Sequence, residues 1–163
     1  MGKPYYNADT FEARRSIGYL VKRVNALLLP KVEELFGDAE LTFTHWIALK
    51  ALRDGFGDTC ADIARHMNHD AGATTRIVDQ LEQRGLVERR RSTEDRRVVH
   101  LSLTADGKAM LRALTPRVVN YWNGILDDFS HAEVTQMIDL LSRLVDRFEE
   151  DAEKALEKPK VAR

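Results

Sequence analysis

Residues 60–107 read CADIARHMNHDAGATTRIVDQLEQRGLVERRRSTEDRRVVHLSLTADG. The stretch changes period at Gly85. Before it, apolar residues fall three and four apart and predict two short helices, about Cys60 to Met67 and Ala71 to Arg84, joined by Asn68-His69-Asp70. After it the period is two. Leu86 to Arg91 and Val98 to Leu103 read as strands, with Val99, Leu101 and Leu103 on one face and Val98, His100 and Ser102 on the other. The polar tip, Ser92 to Arg97, is long for a tight turn, which predicts an extended, mobile loop on a two-stranded ribbon.

Two helices on so short a linker cross steeply only if they approach closely. Ala64 is small enough to allow that, beside Ile63 and Met67, while Val78 and Leu81 on the second helix and Leu86 close a trihelical core. The opposite face of the second helix carries Gly72, Ala73, Thr75, Arg76 and Gln80, small, polar or basic side chains that suit a major groove ~12 Å wide. A plain helical packing motif shares this pattern, so two readings stay open at this point. The ribbon favours DNA. Arg89, Arg90 and Arg91 on one arm and Arg96 and Arg97 at the tip repel one another, and a phosphate backbone or narrow minor groove would relieve that repulsion. An edge ribbon using charge against aggregation is the alternative.

Working outward, a helical stripe from about Thr10 to Phe36 comprises Ile17, Leu20, Val21, Val24, Leu27, Leu28, Val32, Leu35 and Phe36. Asp9 or Thr10 is its expected cap, and Pro30 is expected to kink or divide it. Leu41 to Leu52 reads as a helix capped by Thr42 or Thr44. Beyond the ribbon, a helix from Thr104 carries Leu111, Leu114, Val118, Trp122, Ile125 and Phe129, with Pro116 as an expected kink. Ser130 and Glu133 form a capping box for a last helix, striped by Val134, Met137, Ile138, Leu141, Leu144, Val145, Phe148, Ala152 and Leu156. The tail, residues 158–163, reads as polar and frayed.

The fold class is therefore mainly α with a small two- to three-stranded β wing: a winged helix-turn-helix core at about residues 41–107, between long helical stretches at about 10–36 and 108–157, in one domain of 163 residues. The terminal stripes exceed what so small a core can cover. Each large apolar side chain is worth ~1.5–3 kcal/mol on full burial, so a partner copy is expected, although packing of the two ends within one chain would also serve.

Composition narrows the function classes. The net charge of −1 conceals an asymmetry: residues 84–97 hold six Arg against three acids, while residues 126–157 hold ten acids against Arg143, Arg147 and Lys154. A local basic field is enough for a polyanion partner. The longest apolar runs are four residues, far short of the ~20 of a membrane span, and the first residues lack a signal-peptide core, so a cytoplasmic protein without membrane contact is expected. Cys60 is the one cysteine and reads as a small hydrophobe, with a redox-sensing thiol at a helix start as the alternative. His66 and His69 lack the further ligands of a metal site. No phosphate loop or nucleophile elbow is present, so no catalytic residue, metal or cofactor is assigned.

Residues 70–89, DAGATTRIVDQLEQRGLVER, with Asp95-Arg96-Arg97 and Leu103-Thr104 followed by Gly107, resemble the MarR family of winged-helix transcription regulators. The resemblance is of motif over residues 60–107 and of element order over the whole chain. It implies that Arg97 enters a minor groove, that Asp95 orients it, and that Arg76 reaches a base edge or phosphate beside Gly72, Ala73 and Thr75. Gln80, Arg89, Arg91 and Arg96 complete the expected DNA-binding set. It also implies an intertwined homodimer built from the first and last helices, acting on duplex DNA as a repressor. A cleft near Arg14, Tyr19, His45, Trp46 and Trp122 would take a phenolic or aryl-carboxylate effector, against ordinary core aromatics as the alternative. A protein-interaction module without DNA binding and a thiol-based sensor are the other functions considered.

Overall fold

The computed structural model describes residues 4–157, so the polar tail and the Leu156 side chain lie outside the described residues. Six α-helices and two strands follow in order: α1 Ile17–Glu34, α2 Phe43–Asp54, α3 Cys60–Met67, α4 Ala71–Gln83, β1 Val87–Arg91, β2 Val99–Leu103, α5 Ala105–Ile125 and α6 His131–Glu157. They form two compact units whose boundary, Val118–Val119, falls inside α5.

The first helix begins later than its sequence suggests. Ser16, not Asp9 or Thr10, is the cap; its hydroxyl accepts the Tyr19 amide N–H, and Ala8–Thr10 and Ala13–Arg15 are single 3₁₀ turns. The orphan N–H of Ile17 donates to the Tyr6 hydroxyl at 3.0 Å, so the first turn is satisfied from outside the helix. Pro30 does not divide α1, which continues to Glu34 and stops before Phe36.

The helix-turn-helix is built as its composition dictates. Thr59 and Asp62 form a reciprocal capping box on α3, and Asn68 ends that helix in the left-handed region at φ 49°. The His69 amide then donates to the Ala64 carbonyl, and the Asp70 carboxylate accepts the Ala73 N–H to start α4. Ile63, Ala64, Thr74, Val78, Leu81 and Leu86 are buried with Leu49 of α2 and Leu101 of β2. Thr74 is the buried polar residue of this core, and its hydroxyl donates to the Asp70 carbonyl.

The ribbon is a two-stranded antiparallel sheet in the register Val87↔Leu103, Arg89↔Leu101, Arg91↔Val99. Each strand is one residue shorter than expected. A single bond from the Leu101 amide to the Asp58 carbonyl adds a partial third edge. The tip is closed and not extended. Ser92 N–H donates to the Val98 carbonyl, Val98 N–H to the Asp95 carbonyl, and the Ser92 hydroxyl accepts from the amides of Glu94 and Asp95.

Gly107 explains how α5 leaves the ribbon. A Cβ there would collide with the Leu86 carbonyl oxygen, so the first turn of α5 packs directly on backbone. That carbonyl accepts the Thr104 amide, and the Thr104 hydroxyl donates to the Gly85 carbonyl at 2.6 Å. In the second unit, Ser130 and Glu133 make the expected reciprocal capping box at the start of α6. No helix among the described residues is long and apolar enough to cross a membrane.

Candidate nucleic-acid interface

The exposed side of α4 carries the residues singled out in the sequence. Gly72, Thr75, Arg76 and Gln80 are exposed and Ala73 is half-buried, while Thr74, Val78 and Leu81 hold the opposite side in the core. Gly72, Arg76 and Gln80 stand four apart and so form one stripe. Arg76 Nε lies 3.4 Å from the Gly72 carbonyl, and Thr75 donates its hydroxyl to the Ala71 carbonyl at 2.9 Å. Arg76 has no carboxylate partner among the described residues and keeps its charge available to a ligand.

The five ribbon arginines separate into two kinds. Arg89 lies across from buried Leu101, which turns it toward α4; there it pairs with Asp79 at 2.7 Å and Glu82 at 2.6 Å, and only 26% of its side chain is exposed. Burial works against its charge, but the carboxylates of Asp79 and Glu82 outweigh burial and raise its pKa; the Cys60 thiol lies beside it, half-buried. Arg90, on the other face, pairs with Glu88 at 3.0 Å. The like-charge argument from sequence therefore fails for these two: Glu88, two residues away on the same strand face, offsets Arg90, and α4 supplies the acids that offset Arg89. Arg91 and Arg96 are exposed and make no ion pair among the described residues. Arg97 is 94% exposed.

Asp95 plays a different part from the one expected. Its carboxylate accepts the Arg97 backbone N–H at 2.9 Å, while Arg97 Nε is 3.6 Å away, beyond hydrogen-bond range. The acid fixes the backbone turn at the tip and stands at ion-pair distance from the guanidinium without a hydrogen bond to it.

Of the residues expected around an aromatic cleft, Arg14, Tyr19, His45 and Trp46 of the first unit share no hydrogen bond or ring contact with one another among the described residues. Trp46 stacks with Phe43 at 5.7 Å and lies 6.0 Å from Phe36, and its indole N–H is buried without an acceptor. His45 is turned elsewhere: Nδ1 faces Thr42 and Nε2 lies 2.8 Å from Gln80 Oε1. Arg14 and Tyr19 are exposed, and no hydrogen bond or ring contact among the described residues joins them to Trp46. Trp122 is in the second unit, edge-on to Tyr121 at 6.2 Å.

Two side chains to which the sequence assigned no such role hold the rear of the interface. The Arg84 guanidinium, just past α4, donates to the carbonyls of Ala39 and Glu40, Glu40 being left-handed at φ 52°. Arg117 on α5 donates to the Leu35 carbonyl at 3.0 Å and pairs with Asp38, whose carboxyl that guanidinium holds below the usual range. The turn between α1 and α2 is thus gripped from α4 and from α5. Separations of about eighty and forty-five residues leave no local sequence signal for either clamp.

Comparison with known proteins places this geometry. The MarR family profile matches residues 39–98, which span the helix-turn-helix and most of the ribbon. An HTH-type transcriptional repressor of Mycobacterium tuberculosis is 32% identical over 96 residues, covering 59% of this chain and 69% of the relative. CouR from Rhodococcus jostii, solved bound to p-coumaroyl-CoA, superposes with a TM-score of 0.73 at 25% identity over 83% of this chain and 95% of its own. The transcriptional regulator SlyA shares the fold, with a TM-score of 0.77 at 20% identity over 86% of this chain and 99% of its own. With a basic-tipped wing following a helix whose exposed stripe is small and polar, and with repressors of the same pattern as its relatives, the chain belongs to the MarR family of transcriptional regulators.

Proposed function

We propose that this regulator is a repressor that binds a pseudo-palindromic duplex site as a homodimer. The two copies of α4 enter major grooves roughly 34 Å apart and the wing tips reach the flanking minor grooves. One observation carries this reading: the exposed stripe Gly72–Arg76–Gln80 stands on a helix fixed through buried Val78 and Leu81, next to a ribbon whose tip leaves Arg96 and Arg97 without a close side-chain partner. Arg91 and Arg96 contribute phosphate contacts, Arg97 the minor-groove contact, and Arg76 with Gly72, Ala73, Thr75 and Gln80 the base-edge surface. Arg89 and Asp95 act as supports, the first tying the ribbon to α4 and the second shaping the tip.

Dimerisation is supported by exposed apolar side chains on α1 and α6, among them Val24, Leu27, Ile138 and Phe148. Release by a small aromatic or phenolic effector is supported by the buried Trp46 N–H without an acceptor, which a ligand oxygen would satisfy, and by the ligand in CouR. On this reading Trp46 is the residue at the effector site, and Arg14, Tyr19, His45 and Trp122 remain part of the proposal only through the family resemblance. The setting is the bacterial cytoplasm.

Selection from a random duplex pool tests the proposal. An enriched sequence with two-fold symmetry, bound more weakly as salt rises, supports it. Failure to enrich any sequence, together with no salt-dependent retention of DNA, would leave a protein-interaction module as the better reading.

A further inference from the structure

His45 has both ring nitrogens engaged, and the arrangement fixes where its proton sits. Nδ1 lies 3.1 Å from the Thr42 backbone nitrogen and 2.8 Å from Thr42 Oγ1. A backbone N–H can only donate, so Nδ1 accepts and carries no hydrogen. In the neutral ring the proton then resides on Nε2, which becomes a donor. Nε2 is 2.8 Å from the Gln80 carboxamide, and a donor requires an acceptor, so the oxygen of Gln80 faces the ring. The NH₂ of Gln80, with two donor hydrogens, is left for a ligand.

Gln80 lies on the stripe of Gly72 and Arg76 proposed above to enter the major groove. A free glutamine offers oxygen and NH₂ side by side, which matches the N6 donor and N7 acceptor of adenine. A glutamine whose oxygen is drawn to His45 offers donors only. Guanine, with N7 and O6 both accepting, matches that edge better than thymine, whose O4 is a single acceptor beside a methyl group, and better than adenine or cytosine.

We infer that His45 is a specificity-determining positioning residue: its Nε2–H orients the Gln80 carboxamide so that α4 presents an N–H donor to an acceptor edge, guanine, at one base pair in each half-site. The inference rests on the DNA-reading proposal and adds to it a residue on a different helix that touches no base.

The test is sequence selection from a random duplex pool with the full chain and three variants. In His45→Glu the carboxylate still accepts the Thr42 N–H in a Thr-x-x-Glu capping box, so α2 keeps its start. A carboxylate cannot donate, so it turns Gln80 around and exposes the oxygen. The preferred base at one position per half-site should move from guanine to a base with a donor edge, cytosine or adenine, by about tenfold in relative enrichment. Extra negative charge would weaken binding to every duplex alike and would not move that ratio. In His45→Gln the amide oxygen and NH₂ can replace Nδ1 and Nε2, and the guanine preference should return. Gln80→Ala should remove preference at that position alone. Unchanged selection by His45→Glu, or by Gln80→Ala, would overturn the inference. A wild-type chain that enriches no sequence would instead overturn the DNA-reading proposal and take this inference with it.

Discussion

Arg97 and Arg76 are both exposed, yet their surroundings predict different losses. Arg97 stands on a wing tip held by the Asp95 carboxylate through backbone, with its side chain 94% exposed. An Arg in a minor groove reads mainly width and potential. Arg97→Ala should therefore weaken binding to all duplexes, most where A·T-rich flanks narrow the groove, and flatten the salt slope by about one unit. Arg76 stands on a helix fixed through Val78 and Leu81, where a base contact is directional. Arg76→Ala should cost ~1–3 kcal/mol on the selected site and less on random DNA. Isotherms on matched duplexes at several salt concentrations check both, and wild-type binding by Arg97→Ala would return the wing to a charged edge. That both are exposed and charged was legible in the sequence, because exposure and charge at a loop tip or on a helix face are local properties. The pairings of Arg89 and His45 were not, because their partners lie seven to thirty-five residues away.

The elements show the same division. Helix starts at Thr42, Thr59, Asp70 and Ser130 follow from residue chemistry, since each supplies an oxygen to an orphan amide three residues on. The junction of ribbon and α5 depends on tertiary approach. At Gly107 any side chain meets the Leu86 carbonyl, and backbone cannot swing aside as a flexible side chain can. Gly107→Ala should destabilise the fold by ~1–3 kcal/mol despite alanine's better helix propensity, measured by urea unfolding. A neutral or stabilised variant would mean that α5 does not pack on that carbonyl. The clamp of Arg89 on Asp79 and Glu82 joins wing and α4 in the same way, through partners brought together by packing.

For the whole molecule, the exposed apolar side chains of α1 and α6 are an unmet demand. Leu27 is 63% exposed and Val24 57%, and burying each fully against a second copy is worth ~1.5–3 kcal/mol. Leu27→Glu should shift the proposed dimer toward monomer in light scattering and weaken DNA binding with it. A stable dimer in that variant would move the interface elsewhere. Acid sensitivity is also a property of the whole. Asp54 is held low by Lys50 and then Arg53, Asp62 by the Thr59 hydroxyl and backbone, and Glu133 by Ser130. Each carboxyl binds its proton less readily folded than unfolded. Their contribution is complete above the ordinary values of 3.8 for Asp and 4.5 for Glu, and it is lost as pH falls through the lowered folded values. Denaturation midpoints should be flat from neutral pH to about 5 on this account and fall below about 4. A midpoint that rises on acidification would contradict it.

By itself the sequence determined the order of elements, the helix-turn-helix and wing, the exposed stripe on α4 and the arginines at the tip. All are local: a period, a cap or a charge acts within a turn or two of chain. Only the tertiary structure decided which arginines are free. It spent Arg89 on Asp79 and Glu82, Arg84 on the carbonyls of Ala39 and Glu40, and Arg117 on Asp38, and it turned His45 from an expected ligand contact to Gln80. The physical reason is that a charged or polar group half-removed from water takes the nearest complementary partner, and which partner is nearest is set by packing between segments and not by their spacing along the chain.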